Sequence, residues 1–172
     1  MGEQGGQLQY WIELQTLYTH SRYLELYQLR SGNIERMIGI VLAMTSSVSI
    51  GGWAIWREYA FTWAVLIIAS QVVSVIYKFL PFKSRIKPLS SVGSELSVLV
   101  DGAEHQSLEV AFGMMPEQEI NDLRFSIRAK KTAIMKSAFS GMALPENTQL
   151  MRKAEQRMSA YFKSHYPELN HD

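Results

Sequence analysis

The sequence predicts an all-α membrane protein: a two-helix transmembrane hairpin with an N-terminal cytoplasmic helix and a C-terminal cytoplasmic helical domain. Three observations predict it. Met37 to Trp56 and Tyr59 to Tyr77 contain no Lys, Arg, Asp or Glu and are separated only by Arg57 and Glu58. Each is about the length, roughly 20 residues at about 1.5 Å rise, that crosses a bilayer core of roughly 30 Å as a helix. Aromatic rings gather at both ends, with Trp53, Trp56, Tyr59, Phe61 and Trp63 around the turn and Tyr77, Phe79 and Phe82 at the far end, as they do at the two water interfaces. Positive charge lies on the outer flanks, with Arg30 and Arg36 before the first span and Lys78, Lys83, Arg85 and Lys87 after the second. The turn offers only Arg57 beside Glu58, so both termini are expected in the cytoplasm.

The chain divides accordingly into residues 1–34, an N-terminal amphipathic helical region; 35–80, the hairpin; and 81–172, a cytoplasmic helical assembly and sensor domain. Met1 to Gln7 is polar and Gly-rich, unlike the apolar core of a signal peptide. Removing about 40 bilayer residues leaves roughly 130, enough for one small domain. A hydrophobic fraction of 47% with net charge +1 therefore averages two unlike parts. There is no cysteine, which rules out a disulfide framework or thiolate metal site.

Leu8, Trp11, Ile12, Gln15 and Tyr18, then Tyr23, Leu24 and Tyr27, follow helical spacing with a slip near His20 and Ser21. Two short helices or one kinked helix fit this pattern, lying near headgroups or packed on the cytoplasmic domain. Ser31, Gly32 and Asn33 are expected to break or cap the chain. In the first span Gly39, Ala43 and Ser46 stack at i, i+4 and i+7, a spacing that lets helices pack closely. Thr45, Ser49 and Gly52 form a second stripe, read either as pore-lining or as hydroxyls bonded to their own helix or a neighbour. In the second span Gln71 and Ser74 share a face with Lys78. An amide at that depth wants a partner, so these groups are expected to pack at the centre of an oligomer.

From Ser91 to Gly113, Val92, Leu96, Leu99, Ala103 and Val110 fit a helix, while the Val-rich Leu96 to Val100 followed by Asp101-Gly102 fits a strand and turn. Pro116 with Glu117 and Glu119 starts the next helix, which carries Ile120, Leu123, Ile127, Ile134 and Ala138 and stops at Gly141. Pro145 and Glu146 start the last, with Met151, Ala154, Met158 and Tyr161 as its buried stripe and Pro167 at its end.

Catalytic and cofactor signatures are missing: no Walker loop, GxGxxG, HExxH or nucleophile elbow occurs, and His20, His105, His165 and His171 are too scattered for a metal triad. No enzyme, cofactor or metal is expected. Arg124, Arg128 and Lys131 fall at i, i+4 and i+7, a spacing that can hold phosphates with Phe125 or Phe139 stacking on a base. The alternative is an exposed charged face paired to Glu117, Asp122 or another subunit.

This layout, a helical lead-in, a hairpin with a hydroxyl-rich first span and a compact helical tail, resembles the bacterial two-transmembrane effectors associated with SMODS nucleotidyltransferases and SLOG domains, the SLATT group. The resemblance implies a pore-forming effector of anti-phage defence in the bacterial inner membrane, switched by a nucleotide signal or a nucleotidyltransferase partner. It carries over no ligand residue, because no group motif aligns position by position. The expected function is a homo-oligomeric, tetrameric channel whose cytoplasmic helices sense an oligonucleotide or cyclic oligonucleotide and move the spans through Pro81 to Pro88. The alternative is a membrane-anchored adaptor whose helices recruit a soluble partner.

Overall fold

A computed structural model describes the backbone of residues 3–55, 60–79, 82–139 and 146–167, and the side chains of residues 5–44, 61–62, 64–76, 88–139 and 146–167. Five helices follow in order: α1 Glu3–Ile55, α2 Ala60–Phe79, α3 Phe82–Ala111, α4 Glu117–Ala138 and α5 Thr148–His165. The all-helical expectation holds among the described residues, and the segment left open between helix and strand is helical up to Ala111.

The transmembrane part of the prediction is corrected. Among the described residues no helix is long and apolar enough to cross a membrane. The expectation rested on length, lack of charge and flanking aromatic rings; the first uncharged stretch is the end of one longer helix, α1, and not a separate span. The membrane-protein class, the hairpin spans and the ion-channel reading built on them fall together. Thr45, Ser46, Ser49 and Gly52 lie on α1, but their side chains are outside the described residues.

α1 is one helix of 53 residues, so neither the slip at His20 nor Ser31 to Asn33 interrupts it. The first proline of the chain is Pro81, and no residue before it removes a helical N–H. Pro88 sits inside α3 and costs that helix one i→i−4 bond. α3 ends at Gly113 with φ of 65°; Gly113 N–H donates to the Val110 carbonyl at 3.2 Å and Met114 N–H to Glu109 at 3.0 Å. That bonding pattern is a Schellman stop, which glycine permits because it has no Cβ. Pro116 caps α4 without a side-chain bond, and Glu117 and Glu119 occupy its first turn. α4 ends at Ala138 with Phe139 as its C-cap, before the expected stop at Gly141; Gly141 and Pro145 themselves lie outside the described residues. α5 begins at Thr148, where the Asn147 side chain accepts from the Gln149 and Leu150 N–H groups at 3.1 Å.

The chain forms two compact units, residues 1–28 with 88–172, and residues 29–87. In the first, Tyr10, Leu14, Leu17 and Leu24 of α1 are buried with Leu89, Val92, Leu96 and Val110 of α3, Ile120 and Ile127 of α4, and Leu150, Ala154 and Phe162 of α5. The α1 stripe is rotated from the expected one: Leu8 and Ile12 are exposed, because apolar residues occur on several sides of this helix and the neighbours choose the face. Gly6 admits α4 closely, with a Cβ there meeting Glu117 Cγ at 3.5 Å.

In the second unit, α2 exposes most of its described apolar side chains. Its partly buried side contains Ile67, Ser70 and Ser74, while Phe61, Val65, Ile68, Val72, Val75 and Ile76 are each at least 49% exposed. Those six fall on one face at i, i+4, i+7, i+11, i+14 and i+15. On α1, Met37, Ile40, Val41 and Met44 form a second exposed apolar face.

Candidate functional site

The expected basic cluster is assembled, and it lies along α1. Arg128 pairs with Glu13, whose carboxylate is buried by its neighbours. Arg124 donates to Gln9 and, at 2.8 Å, to Asn121. Lys131 Nζ lies 2.7 Å from His20 Nδ1, a contact in which the ammonium donates and the neutral imidazole accepts. Gln9, Glu13 and His20 share one side of α1, so a polar seam joins α1 to α4. Burial lowers the Lys131 pKa, with Glu13 opposing and Arg128 reinforcing that shift. For His20, burial and then Lys131 lower the pKa, against smaller opposing effects from Thr16 and Glu13. The hydrogen bond from Arg128 to Glu13, together with that carboxylate's charge, holds the Arg128 guanidinium more firmly protonated. Each guanidinium thus has a partner within the chain, although the Arg128 side chain stays 54% exposed and Arg124 Nε is buried without a hydrogen-bond partner among the described residues.

A second polar centre was not anticipated. Glu104 of α3 accepts from Tyr161 at 2.8 Å and from Tyr166 at 2.7 Å. Tyr18 stacks on Tyr161 at 4.8 Å, Trp11 meets Tyr166 edge-on at 5.2 Å, and Arg22 lies over the Tyr18 ring. Burial first, then Glu104, pushes the Tyr166 phenol up to about 12 and raises Tyr161 further. Phenols held protonated at one carboxylate form an anchor for α5. In sequence, the only signal was the i, i+4 spacing of Glu104 from Val100, a buried position of α3.

A groove of about 610 Å³ runs between α3 and α4. Leu99, Ala103, Leu123, Ile127 and Ile134 form its floor, while Glu95 and Lys130 stand on its opposite edges. A smaller cavity of about 410 Å³ adjoins the His20 and Lys131 pair. Among the described residues no three His, Cys, Asp or Glu side chains could hold a metal ion.

Of the remaining expected positions, Gly39 is exposed and a Cβ there would meet nothing within 4 Å. Ala43 and Gln71 are exposed and Ser74 is half-buried. No protein-family model, curated protein or solved structure matches the chain.

Proposed function

We propose that the protein is a homo-oligomeric, non-catalytic helical scaffold: residues 29–87 assemble copies, and the unit built from residues 1–28 and 88–172 is the interaction module that the assembly presents to a protein partner. The exposed apolar face of α2 carries this reading. A helix with hydroxyls on its inner side and Phe61, Val65, Ile68, Val72, Val75 and Ile76 outward has its cohesive face toward something beyond its own unit. Other copies supply a matching face without any charge to complement, since residues 59–77 carry none. The interaction module is supported by the absence of catalytic motifs in the sequence and by Arg128 and Lys131 of α4 each having a partner on α1.

The test is size-exclusion chromatography with light scattering on the full chain and on the Ile68→Glu, Val72→Glu double variant. The wild type is expected as a multimer and the variant at a much smaller mass with unchanged helical circular dichroism. Equal masses would remove α2 from the assembly surface.

A further inference from the structure

The groove between α3 and α4 is the face that the first unit leaves uncovered on this helical pair. α3 presents Val92, Leu96 and Val100 to the core, and the Tyr10 hydroxyl donates to the Ala103 carbonyl. α4 presents Arg124, Arg128 and Lys131 to α1. The groove side keeps an apolar floor, yet Val98 at its wall is 69% exposed. Gly102, Ser126 and Ala133 are the small residues lining it, and small side chains let another helix approach.

Its edges carry opposite charge. Among the described residues Glu95, on α3, accepts only from Ser91 of its own helix, at 2.9 Å. Lys130, on α4, makes no ion pair among the described residues. The two helices are joined by the short turn at Gly113 and so run antiparallel.

We infer that two copies of this chain pair face to face along the α3 and α4 groove, about a two-fold axis parallel to it. Such an axis lays α3 of each copy on α4 of the other. All four helices then have antiparallel neighbours, the arrangement of a four-helix bundle. The same operation brings Glu95 of one copy to Lys130 of the second, twice, and inserts Val98 beside the second copy's groove floor. A foreign helix would need a matching acid and base on its two flanks; a second copy has them by symmetry. This pairing deepens the self-assembly proposed above but uses a surface in the other unit, so the two can fail separately.

The chain has no cysteine, which makes an introduced thiol unique. Full-length Glu95→Cys and Lys130→Cys proteins are mixed and treated with bismaleimidoethane, a short thiol cross-linker. The expected result is a covalent dimer in the mixture at least about fivefold above either variant alone, and above a mixture of Ser97→Cys with Asp122→Cys, positions outside the groove. A mixture no better than these controls overturns the pairing. Charge reversal reads the same contact without cross-linking: Glu95→Lys or Lys130→Glu alone weakens association at least about tenfold, about 1.4 kcal/mol, and the two together restore it. Unchanged association in the single variants overturns it as well. A multimer without preferential cross-linking rejects the groove pairing and leaves assembly through α2 standing, whereas a monomeric wild type rejects both.

Discussion

His20 shows how one titratable side chain ties the interaction module to pH. Packed beside Lys131 on α4, with Arg128 and Glu13 in the same seam, its imidazole is held below the ordinary value of 6.5, chiefly by burial. The unfolded chain therefore binds a proton more readily than the folded one. Stability is full above about pH 6.5 and declines as the pH falls through that value toward the lowered folded pKa. Thermal unfolding between about pH 5 and 7 should show this slope, and His20→Gln should flatten it; an identical slope in the variant would place the titration elsewhere. Arg128→Gln leaves the buried Glu13 carboxylate without its cation and should lower the melting temperature, whereas Lys153→Gln, exposed on α5, should not. The basic triad was legible in sequence as a spacing, but its engagement by α1 was not. Gln9, Glu13 and His20 lie more than 100 residues away in the chain, and no local pattern encodes which face of α1 they share.

The helix starts and stops were the most legible elements, because caps are local chemistry. The acidic first turn of α4 was read from Pro116, Glu117 and Glu119, and the turn at Gly113 follows from its φ of 65°. The start of α5 was placed two to three residues early, since Asn147 rather than Pro145 supplies the cap. Asn147→Ala should cost about 1 kcal/mol, with the loss seen as fraying of α5 in hydrogen exchange; protection unchanged at Gln149 and Leu150 would show the cap to be redundant. The buried stripe of α5 was shifted by a residue, Leu150, Ala154 and Phe162 being innermost with Met151, Met158 and Tyr161 beside them. Adjacent apolar residues leave that choice to the neighbouring helices. Removing the paired phenols, Tyr161→Phe with Tyr166→Phe, should cost about 1 kcal/mol for each hydrogen bond to Glu104, detectable in denaturant unfolding. A smaller sum would mean that water replaces both donors.

On the scale of the whole chain, the uncharged stretches were read as spans because they lack Lys, Arg, Asp and Glu. Among the described residues no helix is long and apolar enough to cross a membrane, and the first of these stretches is the end of the longer helix α1. What survives is the stickiness of those stretches. The apolar residues at Met37, Ile40, Val41 and Met44 and along α2 remain exposed within residues 29–87, and the interaction module is built from both chain ends, Tyr10 and Leu14 packing with Leu96 and Phe162. Sequence order suggested three consecutive regions; long-range packing closes the first and last into one core.

Self-assembly is the central claim, and sedimentation equilibrium of the full-length wild type, run over a range of micromolar concentrations, tests it most directly. The expected result is a discrete mass that is a whole-number multiple of the 19.6 kDa chain and larger than a monomer. A 19.6 kDa monomer at every concentration would contradict the scaffold function, because the exposed faces of α1 and α2 would then have no second copy to cover them.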